Sequence, residues 1–418
     1  MAKKTKKKKK KAANIQPELN IGLIGHVDHG KTTLLERLSG KWADTHSEEI
    51  KRGITIRLGY ANTEFRKCSK CSSYTTKDKC PECSSAAELL RIISFVDAPG
   101  HESLMATMLA GATIMDGAVL LVAANEKCPQ PQTREHLMAL EIIGIKNLVI
   151  VQNKIDLVSE EEAVKNYSQI REFIKATPYK DCPIIPVSAQ HGTGLSPLIE
   201  AIEKNIPTPK RDLSLDPKFL VARSFDINRP GSEISSMQGG ILGGALVQGR
   251  LSGDTEVEIR PGYEVLEKNQ RVFRPLKTKI TDIKTGSASV DEITPGGSIG
   301  LMTTLDPSIV KSDRLAGSVV GLPGTLPEVH YDLRLEVKLL ERVVGTEKDL
   351  DVEPVKMKEA LMLNVNSAST VGVVTGLKRG IVSCKLKLPI CADTGSRVTV
   401  SRLIGNRFRL IGYGIIQD

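Results

Sequence analysis

Hydrophobic positions in the first half of the chain fall into short, nearly continuous runs: Ile21–Ile24, Leu90–Val96, Ala118–Ala123, Leu148–Gln152 and Ile184–Val187. Between them lie stretches such as Thr133–Ile143 and Glu160–Lys175, where apolar residues recur every three or four positions. Continuous apolar runs alternating with amphipathic helices predict an α/β domain with a mostly parallel sheet. Pro207-Thr208-Pro209-Lys210 then reads as a linker. Beyond it helical periodicity nearly vanishes. Short segments at Phe219–Ile227, Gly240–Gly249, Glu256–Arg260 and Ser298–Leu301 are broken by Gly, Pro and Asp, the pattern of an all-β barrel. A second interruption, Gly321 to Pro327, precedes strict alternation of Leu333, Leu335, Val337 and Leu339 with polar neighbours, and of Val382, Cys384, Leu386 and Leu388 likewise, which predicts a second barrel. The expected division is a tail over 1–17, an α/β domain over 18–208, and barrels over 209–326 and 327–418.

The formal charge of +9 changes this picture little, because eight lysines between Lys3 and Lys11 supply nearly all of it. Such a run reads as a solvated tail or as a non-specific tether to RNA. No apolar stretch approaches the roughly 20 residues of a membrane span, so no membrane role is expected. Eight cysteines, four of them scattered, suit a reducing compartment and predict a cytoplasmic protein.

Candidate chemistry begins where the first strand ends. Gly25-His26-Val27-Asp28-His29-Gly30-Lys31-Thr32 has the spacing G-x4-G-K-T, followed at once by a helix-like stretch. This is the phosphate-binding loop: glycines for the tight turn, backbone N–H groups of 27–33 and a helix N-terminus for the anion, Lys31 for the β- and γ-phosphates, and the Thr32 hydroxyl for Mg²⁺. Thr33 continues the helix start. The strand Leu90–Val96 runs into Asp97-Ala98-Pro99-Gly100-His101, where Asp97 is placed to support Mg²⁺, Gly100 to offer its N–H to a γ-phosphate, and His101 to orient the attacking water. Asn153-Lys154-Ile155-Asp156 ends another strand. The Asp156 carboxylate accepts both N–H groups of the guanine Watson–Crick edge, Asn153 contacts the other purine edge, and the Lys154 stem covers the ring; adenine would leave the carboxylate unpaired. Ser188-Ala189-Gln190 follows the next strand and supplies an N–H to guanine O6. Arg52-Gly53-Ile54-Thr55-Ile56 places Thr55, with Gly53 beside it, to complete Mg²⁺ coordination only when the γ-phosphate is bound, an order–disorder switch. Asp28 is a further Mg²⁺ candidate, or a carboxylate facing solvent or paired with a lysine.

Cys68-x2-Cys71-x8-Cys80-x2-Cys83, within a knuckle spanning 66–85, has the spacing of a closed structural Zn²⁺ site with no open position for catalysis. For RNA contact the candidates are Arg223, Arg229 and Arg250. Arg223 shares the register of Val221 and Phe225, so a buried salt bridge is the competing reading.

With these motifs the chain resembles the translational GTPases, and more closely the gamma subunits of archaeal and eukaryotic initiation factor 2. The shared residues are GHVDHGKT at 25–32, DAPGH at 97–101, the four-cysteine insertion, HSEEIKRGITIRLGY at 46–60, and the LLERVVG and RLIGYGII stretches near the C-terminus. The short N-terminal region suits the archaeal form. The resemblance implies a GTPase domain with two β-barrels, GTP or GDP with Mg²⁺ and Zn²⁺ as cofactors, alpha and beta partner subunits, and GTP-dependent delivery of initiator methionyl-tRNA to the small ribosomal subunit. It implies that Thr32 and Thr55 hold Mg²⁺, and that Val27 and Ile54 form the apolar pair flanking His101. An elongation-type or specialised aminoacyl-tRNA carrier, and a GTP-liganded assembly scaffold without turnover, are the alternatives.

Overall fold

The computed structural model describes residues 16–40, 59–99, 105–228, 231, 233, 237–268, 270–286, 288–341, 351–378 and 380–418. The Lys-rich run, the 52–56 stretch with Gly53 and Thr55, Gly100, His101 and Arg229 lie outside the described residues.

The first domain is a seven-stranded sheet. Its strands are β1 (Leu19–Gly25), β2 (Gly59–Cys68), β3 (Tyr74–Thr75), β4 (Ala87–Asp97), β5 (Gly117–Ala123), β6 (Leu148–Asn153) and β7 (Ile184–Pro186), in the order β3-β2-β4-β1-β5-β6-β7. β4, β1, β5, β6 and β7 run parallel, while β2 and β3 add an antiparallel edge. Every residue of β1, β5 and β6 is buried, as expected of strands covered on both faces. One face is covered by α1 (Lys31–Ser39) and the other by α2 (Met105–Ala112), α3 (Pro131–Ile143) and α4 (Glu160–Ile174). α5 (Leu195–Asn205) packs beside α1. β1 lies between β4 and β5, so the strand order reverses there, and the crevice at the carboxyl ends of these strands is where such sheets take ligands.

The second unit closes six strands: β8 (Lys218–Phe225), β9 (Ile241–Gln248), β10 (Glu256–Glu267), β11 (Gln270–Thr285), β12 (Ile299–Thr303) and β13 (Val319–Gly321), around a core of Phe219, Val257, Ile283 and Leu301. The third is a closed barrel of β14 (Val329–Leu339), β15 (Ala360–Val365), β16 (Ala368–Lys378), β17 (Ile381–Cys391), β18 (Arg397–Ile404) and β19 (Arg407–Gln417). Here the alternation read from sequence overshoots the core: Leu333, Leu335, Val382, Cys384 and Leu386 are buried, but Leu339 and Leu388 are 36% and 45% exposed. In β17 the buried positions move to Ile390 and Cys391.

The barrels are seated on the first domain. Ile114, just past α2, packs with Leu220, Ala245, Val319, Leu326 and Cys391 in a buried cluster shared by all three units. Leu410 of β19 enters the core beneath α3, and Arg397 donates to the Ile142 carbonyl at the end of that helix. The Arg409 guanidinium meets Glu135 of α3 at 2.7 Å; burial lifts the Glu135 carboxyl above its ordinary range against the opposing pull of that guanidinium. Removing one partner of a buried pair leaves an uncompensated charge. Arg409→Ala is therefore predicted to cost about 3 kcal/mol, read as a lower denaturant midpoint; an unchanged midpoint would show that this seam contributes nothing to stability.

Candidate guanine-nucleotide site and cysteine cluster

The loop from Gly25 to Gly30 joins β1 to α1, and its glycines are dictated by their surroundings. A Cβ on Gly25 would lie 2.6 Å from the Leu121 carbonyl, and one on Gly30 (φ 87°) would lie 2.4 Å from the Asn153 carboxamide. Asp28 also takes a left-handed φ of 62° and is exposed, as is usual for a non-glycine residue held in a functional turn. Lys31 is buried and its ammonium donates to the Gly25 and His26 carbonyls at 2.9 and 2.8 Å. The Thr32 hydroxyl donates to Asp97 at 2.9 Å. The two groups expected to hold and support Mg²⁺ thus meet, brought together at the carboxyl ends of the adjacent parallel strands β1 and β4, and a hydroxyl beside a carboxylate is a donor set suited to a hard cation.

His29 is fully buried. Its ring faces the Leu121 carbonyl (2.9 Å) and Glu126 (3.3 Å). His26 sits edge-on to it. A third histidine, His136 of α3, completes the group and was missed in the motif reading: its Nδ1 accepts the Gly25 N–H at 3.1 Å. The available signal was its place on the apolar face of the predicted helix, one turn before Leu140, where a polar side chain needs a partner. Burial, the Lys31 ammonium and the other two rings press its pKa down to about 3, and burial also lowers His26 and His29.

The residues expected at the base come from two strand ends. Asn153, also buried, donates to the His29 carbonyl at 2.9 Å and accepts the Ala189 N–H at 3.0 Å. Sequence reasoning sent both groups to the purine; the structure shows them bound to each other, so Asn153 ties the phosphate loop to the 188–190 loop. Lys154 is left-handed (φ 62°), which turns the chain sharply enough to leave Asp156 exposed. A hydrogen bond from Ser188 holds the Asp156 carboxyl below its usual range. It is therefore an ionised acceptor at neutral pH, as a guanine-reading carboxylate must be.

Of the arginine candidates, Arg223 lies 3.6 Å from Asp313 and over the Phe225 ring. Its expected register does not hold. A β-bulge between Val221 and Arg223 shifts the pairing, so Ser224 is buried in its place and bonds the Val310 carbonyl. Arg250 forms an exposed pair with Glu292.

The four cysteines converge. Their sulfurs lie within 4.8 Å of one another, with Cys68–Cys83 and Cys71–Cys80 at 3.4 Å. Four sulfurs about 2.3 Å from one Zn²⁺ would sit about 3.8 Å apart, so the cluster fits that ion with little movement. Two equivalent turns present them: Ser72 and Ser84 both have φ near 60°, and their N–H groups bond the Cys68 and Cys80 carbonyls.

Comparison with known proteins decides the family. The elongation factor Tu GTP-binding domain family matches residues 16–208, and the C-terminal family of initiation factor eIF2 gamma matches 331–416. The translation initiation factor 2 subunit gamma of Methanocaldococcus jannaschii is 56% identical over 98% of this chain and 99% of its own length. That of Methanococcus vannielii is 57% identical over 97% and 99%. The chain belongs to the translation initiation factor 2 gamma family. It is a translational GTPase that binds guanine nucleotide. Among solved structures, the bacterial selenocysteine-specific elongation factor EF-Sec (TM-score 0.72, 23% identity, 95% of this chain and 58% of that one) shares the fold. So does elongation factor SelB from Methanococcus maripaludis with the GTP analogue GPPNHP (TM-score 0.71, 22% identity, 97% and 80%). No helix of the described residues is long and apolar enough to cross a membrane.

His136 is neutral when folded but takes up a proton below pH 6.5 when unfolded, so its contribution is complete above pH 6.5 and falls toward pH 3, by at most about 1.4 kcal/mol per pH unit. Unfolding midpoints measured from pH 7 to 5 are expected to fall less in His136→Gln than in the parent; parallel curves would remove His136 as the source. The purified chain is also expected to carry one equivalent of zinc that Cys71→Ser and Cys83→Ser both lose, measured by metal analysis. Retention by the double variant would place the metal elsewhere.

Proposed function

We propose that this initiation GTPase binds initiator methionyl-tRNA in its GTP state, delivers it to the small ribosomal subunit and releases it after hydrolysis, working in the cytoplasm with alpha and beta partner subunits. The observation that carries the reading is the seam after Asp97. β4 ends at the residue that meets Thr32, and the chain resumes in α2, which lies against β15 and β16 of the third unit. Ile114 then enters the cluster shared with both barrels. α2 and Ile114, in the chain that follows Asp97, thus touch both barrels.

Thr32 and Asp97, with Thr55 and the further candidates Asp28 and Gly53, would hold Mg²⁺, which neutralises charge between the β- and γ-phosphates. Lys31 and the N–H groups of 27–33 and Gly100 bind the phosphates. Asn153, Lys154, Asp156 and the 188–190 loop take the guanine, and His101 orients water. Intrinsic turnover of such switches is slow, so the ribosome supplies the trigger. Arg223, Arg229 and Arg250 remain candidates for the tRNA backbone. The test is methionyl-tRNA binding measured with GTP analogue, GDP and no nucleotide, with and without the partner chains. The GTP-analogue form is expected to bind at least about ten-fold tighter than the GDP form, within the usual range of allosteric coupling. Equal affinity in all three states would refute the carrier reading.

A further inference from the structure

α1 carries an arginine that none of the nucleotide motifs includes. Arg37 lies six residues beyond Lys31, in the last turn of the helix that starts under the phosphates. Its Nε donates to the Ala189 carbonyl at 3.0 Å, and a terminal guanidinium nitrogen donates to the Gln190 carbonyl. These are successive carbonyls of the loop assigned to guanine. The N–H side of that loop is held separately: Ala189 by Asn153, Ser188 by the Thr193 carbonyl at 3.1 Å, and His191 by the Ser188 hydroxyl at 3.3 Å. Among these contacts only the Arg37 fork grips the loop's carbonyls from another element.

We infer that Arg37 is a positioning residue for base recognition: its forked guanidinium clamps the Ala189 and Gln190 carbonyls and fixes the loop at the height set by the phosphate-binding helix. The planar fork suits this task because two parallel donors fix both distance and orientation, which a single ammonium does not. The helix gives the clamp its reach. Arg37 is about 7.5 Å along the axis from Thr32 at 1.5 Å per residue, so one rigid element touches the metal-binding hydroxyl at its start and the base loop near its end. The clamp therefore sets the separation between the phosphate and base subsites, and a loop released from it samples heights at which guanine O6 and the phosphates cannot both be satisfied.

A cation in the last turn also stabilises a helix through its dipole, and that purely structural role is separable. The experiment measures GDP affinity and dissociation rate, inorganic pyrophosphate affinity and the nucleotide-free unfolding midpoint for the full chain and for Arg37→Ala and Arg37→Lys. Clamping predicts that Arg37→Ala weakens GDP about five-fold, the scale of one solvent-accessible charge-assisted hydrogen bond. The loss should appear as faster dissociation, with pyrophosphate affinity unchanged. Arg37→Lys, which keeps the helix-end charge but not the fork, should recover only part of the loss. Full recovery by lysine, an equal loss of pyrophosphate affinity, or unchanged GDP dissociation in Arg37→Ala would each overturn the inference. It rests on guanine nucleotide binding at this site: a parent chain that did not bind GDP would refute that assignment, whereas a binding parent with unaffected variants would refute the clamp alone.

Discussion

The nucleotide site depends on one buried carboxamide. Asn153 joins the His29 carbonyl of the phosphate loop to the Ala189 N–H of the base loop, and it does so at full burial, where an unmet hydrogen bond is expensive. That bridge explains residues that look independent in the sequence. Gly30 has no side chain because a Cβ would collide with the Asn153 amide. β5 and β6 must stay in register, since Ala123 pairs with Asn153 itself. The αL turn at Lys154 follows because the chain has to leave the strand at once to bring Asp156 out to solvent.

Electrostatics set a second constraint on the same loop. A phosphate site needs concentrated positive charge, yet the ground beneath it is apolar sheet, where charges are costly. Among the described residues of the loop the cation is Lys31, and it is bonded to two loop carbonyls. The three rings around it, His26, His29 and His136, all have lowered pKa values, with burial the leading cause in each. Two of them serve as neutral hydrogen-bonding supports: His136 accepts from Gly25, and His29 reaches the Leu121 carbonyl of the neighbouring strand. Beside Lys31, the loop is therefore held by rings that add no charge of their own at neutral pH.

How much of this was legible follows from what each kind of signal encodes. β1, β5 and β6 were readable because burial on both faces demands continuous apolar runs. The phosphate loop and the cysteine cluster were readable because their chemistry fixes spacing along the chain. The Asn153–Ala189 bond and the His136–Gly25 bond join residues 36 and 111 positions apart, which no local pattern records. Arg223 shows the opposite failure. Strand alternation placed it in line with Val221 and Phe225, but the bulge turned Ser224 inward, and an inserted residue leaves no mark on a period of two until the partner strand is known.

The cysteine knuckle belongs to the same argument, because its packing reaches the base side. Ser196, in the first turn of α5, accepts the Tyr74 N–H at 2.9 Å and meets the Ser73 hydroxyl at 3.0 Å, three and two residues beyond Cys71 respectively. α5 itself starts at Leu195 after Gly194, which has a φ of 81° and where a Cβ would stand only 2.3 Å from the Pro186 carbonyl. The loop that carries Ser188, Ala189 and Gln190 is thus pinned at its far end by a helix that the knuckle buttresses. A closed four-sulfur site has no vacancy for chemistry; in this chain the turn that carries it bonds the start of α5 through Ser196.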